Sequence, residues 1–196
     1  RRQRQMCIRD RYKGWQVLKS TDATIQGKLQ MVLSALAGHP VEVIGSGRTD
    51  AGVHAIGQVA NFHLDEHFSA EEIFEDLNRH LPEDIAVTKI KEVDDRFHSR
   101  YQAVEKTYRY RIRTSPVPNV FERKFLYQYG QTLDVDKMKK AAQALVGTHD
   151  FASFCGNRHM KKSTVRTIFS IDLVERDGEI EILYCCLLYT SDAADE

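Results

Sequence analysis

Long apolar runs are missing from this chain. None approaches the roughly 20 consecutive residues that cross a bilayer, and no leader with an apolar core is seen. The expectation is a soluble, cytoplasmic protein with no membrane partner. Cysteine is scarce: Cys7, Cys155, Cys185 and Cys186 contain no Cys-x-x-Cys pair, and the eight histidines form no His-Glu-x-x-His or similar cluster. Neither a disulfide framework nor a metal site is expected. Net charge is absent too, because 28 basic residues balance 28 acidic ones, which argues against a generally sticky polycation. No repeat, low-complexity tract or Pro/Gly-rich linker interrupts the sequence. What is present is 196 residues, 42% hydrophobic, enough to bury a core in one or two domains.

The balanced charge is unevenly distributed. Residues 65–95 hold eleven acids against three basic residues. Residues 96–124 reverse this, with Arg96, Arg100, Lys106, Arg109, Arg111, Arg113, Arg123 and Lys124 against Glu105 and Glu122. Residues 151–171 carry no acid, while Arg158, Lys161, Lys162 and Arg166 are positive. Such stretches suit a phosphate backbone, and they equally suit a solvated strand face.

Helical and strand patterns alternate irregularly. Ile25, Leu29, Val32, Leu33 and Leu36 recur at helical spacing up to Gly38 and Pro40. Ser69-x-x-Glu72 is a capping box for a second helix with Ile73, Phe74 and Leu77, stopped by Pro82. Asp134 caps a third, with Val135, Met138, Ala142 and Leu145 inward and Gly147 at its end. Strands are predicted at 85–93, 104–114, 166–174 and 179–184, the last two joined by the hairpin signal Asp177-Gly178. The class is α+β with a mainly antiparallel sheet.

One segment stands out. Gly45-Ser46-Gly47-Arg48-Thr49-Asp50-Ala51-Gly52-Val53-His54-Ala55 packs three glycines into eight residues between the strand patterns 41–44 and 57–64. Arg48 and Asp50 lie two residues apart and are free to serve one bound group. A carboxylate on such a loop is well placed for chemistry. A phosphate cradle fits less well. Asp50 stands where the third glycine of a dinucleotide fingerprint belongs, and no Gly-Lys-Ser/Thr follows. A plain hairpin whose Asp50 caps its own turn fits the local residues as well as a catalytic loop does.

The wider pattern separates these readings. Gly47 to Ala55, followed by Gly57-Gln58-Val59, resembles the signature loop of the tRNA pseudouridine synthase A (TruA) family. Other stretches agree in order: Gly14-Trp15-Gln16, Thr24-Ile25-Gln26-Gly27-Lys28-Leu29, Leu81-Pro82-Glu83-Asp84-Ile85-Ala86-Val87, Phe97-His98-Ser99-Arg100-Tyr101, Lys106-Thr107-Tyr108-Arg109-Tyr110, and Gly147-Thr148-His149-Asp150-Phe151. The similarity runs over about 12–184. It implies the pseudouridine-synthase fold, two ferredoxin-like halves sharing one continuous sheet, here with the second half incomplete. It also implies an isomerase that needs no cofactor and acts as a homodimer on uridines of the tRNA anticodon stem-loop (tRNA positions 38–40).

By this resemblance Asp50 is the nucleophile, Arg48 holds the flipped nucleotide or fills the space it leaves, and Tyr108 lies over the target base. A carboxylate suits the reaction, because it can attack either the anomeric carbon of the sugar or carbon 6 of the base. The residues leave both routes open. The base must first leave the stack. Residues 107–113 alternate Tyr108, Tyr110 and Ile112 against Arg109, Arg111 and Arg113, and Tyr110 is expected in the core. His149-Asp150 reads as a helix-exit and packing motif, and His54 and His98 as loop and fold residues.

The ends match nothing in the family and read as translated adapter sequence. The expected organisation is therefore a foreign leader at 1–11, a catalytic-loop half at 12–103, a truncated second half at 104–184 and a foreign tail at 185–196. The family's C-terminal helix, with the arginine that pairs with the catalytic aspartate, is not found. That leaves an alternative reading, a catalytically impaired tRNA-binding remnant, and a weaker third one, a nucleotide-binding domain.

Overall fold

The computed structural model describes residues 11–64, 67–155 and 163–187. They fall into two units that divide between Ala103 and Val104. Among the described residues, no helix is long and apolar enough to cross a membrane.

The first unit is built on two capped helices and a short hairpin. Fully buried Thr24 opens α1 (Ile25–Ala37), its Oγ1 accepting the Gly27 N–H at 3.2 Å. Gly38 closes the helix in the left-handed region, with its N–H on the Ser34 carbonyl. The hairpin pairs β1 (Val43–Gly45) with β2 (Ala60–Phe62) antiparallel, Val43 opposite Phe62 and Gly45 opposite Ala60. Helix α2 (Ala70–His80) starts on the expected capping box: Ser69 accepts from the Glu72 N–H, and the Glu72 carboxylate accepts from the Ser69 N–H. The apolar stripes of both helices meet over the hairpin, where Trp15, Val32, Leu33, Val41, Val43, Ile73, Leu77 and Leu81 are buried together.

The strand predicted at 85–93 does not form. Ile85, Val87 and Ile90 still pack against the core. At Val87, however, the Asn78 side chain of α2 takes the place of a strand partner. Its Oδ1 accepts the Val87 N–H at 2.8 Å, and its Nδ2 donates to the Val87 carbonyl at 2.9 Å. The peptide is satisfied without a ladder.

The second unit holds a mixed five-stranded sheet in the order β4-β3-β7-β6-β5. Strand β3 (Lys106–Arg113) runs parallel to β4 (Tyr127–Gln128) and antiparallel to β7 (Glu179–Leu187). Strand β6 (Val165–Arg176) lies between β7 and β5 (Gly147–Asp150), antiparallel to both. The β6–β7 turn is the predicted one: Asp177 and Gly178 have φ of 51° and 74°, the two positive values of a type I′ hairpin. Strand β7 runs three residues past the predicted end at Tyr184, and Cys186 is buried, which raises its thiol pKa. Helix α3 (Val135–Gln143), capped by Asp134, packs on β6 and buries Ala142. It ends before Leu145, which was expected on its inner face. Among the described residues the strands form two sheets, of two and five strands.

Candidate active site

The loop 46–59 springs from the β1–β2 hairpin, so its two ends are fixed by the ladder. One more backbone bond extends that ladder, the Ser46 N–H to the Val59 carbonyl at 2.8 Å. The Gln58 side chain then crosses the loop, donating to the Gly47 carbonyl at 2.5 Å. At the tip the Val53 N–H reaches the Asp50 carbonyl at 3.1 Å. This four-residue turn has Gly52 third, at φ of 84°, the place where a type II turn demands a positive φ. Arg48 and Asp50 are both exposed, and among the described residues no ion pair is made to Asp50. The carboxylate is thus presented to solvent on a closed turn.

Two segments whose role was not legible from the residues hold this loop from beneath. The strap Gly14-Trp15 donates the Trp15 N–H to the Thr49 carbonyl at 3.0 Å. Gln26 of α1 ties the strap to the hairpin, with its Nε2 on the Val43 carbonyl at 2.7 Å and its Oε1 accepting the Val17 N–H at 3.0 Å. On the other side Ser99, 3% exposed, donates from Oγ to the Ile44 carbonyl at 2.7 Å and from its N–H to Asn61 Oδ1 at 3.0 Å. The buried bond from the Ser99 N–H to Asn61 in particular rigidifies what it joins. The only sequence signal of these bonds was membership of the motifs around Gly14, Thr24 and Phe97. His98 acts as a fold residue there, Nδ1 accepting the N–H groups of Arg100 and Tyr101.

Tyr108 belongs to the second unit. It lies in β3 opposite Tyr184 of β7, and the two rings stack with centroids 4.8 Å apart and planes 10° from parallel. Tyr108 keeps part of its surface open, and Tyr184 carries a raised pKa caused first by burial. Tyr110 corrects its expectation. It is 50% exposed, while Ile112 two residues on is buried, because no described element covers β3 at that point. Strand alternation reveals which residues share a face but not what lies over it.

The basic stretch of β3 also reads differently in three dimensions. Arg111 forks onto Glu122 at 2.8 and 3.1 Å and reaches Glu179 at 2.7 Å. Arg113 lies 3.5 Å from Glu179, and Arg109 3.7 Å from Glu181. The Arg111 bonds hold the Glu122 carboxyl below its ordinary range. Arg111 and Arg113 thus meet acids of their own unit, while the Arg109–Glu181 pair stays exposed. His149 and Asp150 lie in β5 rather than at a helix exit. His149 Nε2 is 2.9 Å from the Val146 carbonyl, while Asp150 accepts from the Ala152 N–H and the Thr164 hydroxyl. Arg158, Lys161, Lys162, the leader up to residue 10 and the tail from 188 lie outside the described residues.

Comparison with known proteins agrees with this geometry. A family model described as tRNA pseudouridine synthase matches residues 10–102 and 141–190. The chain is similar to a tRNA pseudouridine synthase A of a Bacillus species (strain KSM-64), 50% identical over 175 residues, 89% of this chain and 72% of that protein. It is 46% identical over 172 residues to a tRNA pseudouridine synthase A 2 of Bacillus anthracis, covering 88% of this chain and 70% of that protein. The same identity and coverage hold for a tRNA pseudouridine synthase A 1 of Clostridium tetani. With half of its residues shared across nearly its whole length, and the signature loop displayed on a braced hairpin, the chain belongs to the tRNA pseudouridine synthase family.

Proposed function

We propose that this protein isomerises uridine to pseudouridine in tRNA, with Asp50 as nucleophile. The observation that carries the reading is the exposed Asp50 carboxylate on a turn tied to the Gly14-Trp15 strap through Thr49 and rooted in a hairpin that Ser99 holds. Isomerisation breaks the bond between N1 of uracil and C1′ of ribose. The detached base turns, C5 bonds to C1′, the C5 proton leaves and N1 gains a proton. Atoms balance without an oxidant or a second substrate. Attack by the carboxylate at C1′ or at C6 of the base supplies the covalent step. A fixed turn favours this chemistry because misplacing a reacting group by about 1 Å costs roughly a hundredfold in rate. Arg48 holds the extruded nucleotide or fills its vacated space. Tyr108 stacks on the base and assists loss of the C5 proton. The half at 12–103 carries the loop and the half at 104–184 the tyrosine. The substrate region is the anticodon stem-loop, the working form a homodimer, and the compartment the cytoplasm.

Incubating the protein with unmodified tRNA transcripts and mapping pseudouridine tests this directly. Pseudouridine in the anticodon stem-loop is the expected result. The alternative reading is a chain that docks tRNA without turnover. Binding with no pseudouridine would select that reading, and neither binding nor product would overturn both.

A further inference from the structure

We propose that Gly14 is a positioning residue for Asp50, holding the catalytic turn in place because it has no side chain. The proposal rests on Asp50 as the nucleophile. Gly14 runs at φ of 101°, and a Cβ built on it would stand 2.4 Å from the Thr49 carbonyl oxygen, 3.2 Å from the Asp50 carbonyl carbon and 3.3 Å from the Ala51 nitrogen. All three are backbone atoms of the turn, so none can swing aside as a long side chain would. Ordinary contact begins near 3.4 Å, and a methyl group here would have to displace its neighbour by roughly 1 Å.

The strap is not free to be the part that moves. The Gly14 carbonyl accepts the Ile25 N–H at 3.2 Å, and the Trp15 carbonyl accepts the Gln26 N–H at 3.0 Å, which fastens both residues to the first turn of α1. The Trp15 ring is 6% exposed in the core and lies where a side chain at Gly45 would be, 2.5 Å from that Cβ position. Glycine at 45 thus lets the indole in, the indole anchors the strap, and glycine at 14 lets the strap touch the peptides on either side of Asp50. The turn, exposed and closed by a single backbone bond, is the element that yields. Gly14 touches no reacting atom. It acts through the place of the Asp50 backbone.

The test compares Gly14→Ala with Gly38→Ala. Gly38 also has positive φ, 75°, but a Cβ there meets nothing within 4 Å, so it reports backbone strain alone. Both variants should melt earlier than the parent. Gly14→Ala should lower kcat about a hundredfold with tRNA affinity unchanged within about threefold, while Gly38→Ala keeps kcat. A Gly14→Ala enzyme as active as Gly38→Ala, or one whose loss lies wholly in tRNA affinity, would overturn the proposal. Amide hydrogen exchange on the unsubstituted protein decides the case in which Gly14→Ala does not fold. The Trp15 N–H should exchange as slowly as the amides of β1, and exchange at the rate of a free loop would sink the idea. Asp50→Asn runs alongside: if it stays active, the nucleophile assignment fails, whereas an inactive Asp50→Asn beside a fully active Gly14→Ala fails only the positioning role.

Discussion

At the residue scale, the site is one acid and its surroundings. Asp50 is the only acid in the signature loop, and a neutral amide is a poor nucleophile. Asp50→Asn should therefore abolish pseudouridine formation while tRNA affinity stays within about a few-fold, as expected for a group that acts in the transition state. Residual turnover within about tenfold of the parent, measured by single-turnover kinetics, would remove Asp50 from that role. Tyr108 is tested by two changes. Tyr108→Leu loses its stack on Tyr184, which lowers stability by about 0.5–1.5 kcal/mol. It should cost far more in activity, since a stacked base contributes about 1–3 kcal/mol. Tyr108→Phe keeps the ring, so inactivation without loss of tRNA binding would assign the hydroxyl to proton removal. A Leu variant that melts early yet is fully active when folded would leave Tyr108 a packing residue. Asp50 was legible because glycine spacing and the neighbouring motifs converge on it. Gln26 and Ser99 were not, because their bonds reach residues 17 and 55 positions away.

At the element scale, side chains decide which segments become strands. A strand is expected at 85–93, but at Val87 Asn78 occupies both backbone polar groups and no ladder forms. Asn78→Ala should cost about 1 kcal/mol or somewhat more, with faster exchange of the Val87 amide. Unaltered exchange there would mean the Asn78 bonds do not hold the segment. Arg111 is the comparable device of the second unit. Arg111→Met removes the shorter of the two ion pairs to Glu179, whose side chain is 19% exposed, and leaves it the Arg113 contact at 3.5 Å. A loss of about 1–3 kcal/mol is expected, with Glu122 contributing at the low end because it is largely open to solvent. The pH dependence has a definite sign. The folded state holds the Glu122 carboxyl below its ordinary value, so its stabilisation is present above about 4.3. It is lost as pH falls through the lowered folded value. Denaturant midpoints between pH 6 and pH 3 should fall more steeply in the parent than in Arg111→Met, and parallel slopes would refute the pairing.

For the molecule as a whole, overall neutrality leaves RNA binding to local surfaces. The β3 arginines meet acids of their own unit, which shifts attention to the acid-free stretch at 151–171. Replacing Lys161 and Lys162 together by alanine should weaken tRNA binding and lower the slope of log Kd against log salt by about one to two units. An unchanged slope would show that the two lysines are merely solvated. Substitution of Arg109 should change that slope less than the lysine pair does, because Glu181 lies 3.7 Å away.

Short-range physics made much of this protein readable from its residues. Ser69 and Asp134 cap the helices they precede, Gly38 ends α1, and Asp177-Gly178 makes the hairpin. Each of these is settled within a few positions by backbone sterics and local hydrogen bonds, so the chain carries it wherever it folds. The loop with Asp50 was equally plain. Tertiary structure alone decided what covers a face and which polar group meets which. It left Tyr110 open, paired Arg111 with Glu122 and Glu179, gave Val87 to Asn78, and set Trp15 beneath Gly45. Those outcomes depend on segments far apart in sequence converging on one volume, and no local periodicity encodes that meeting.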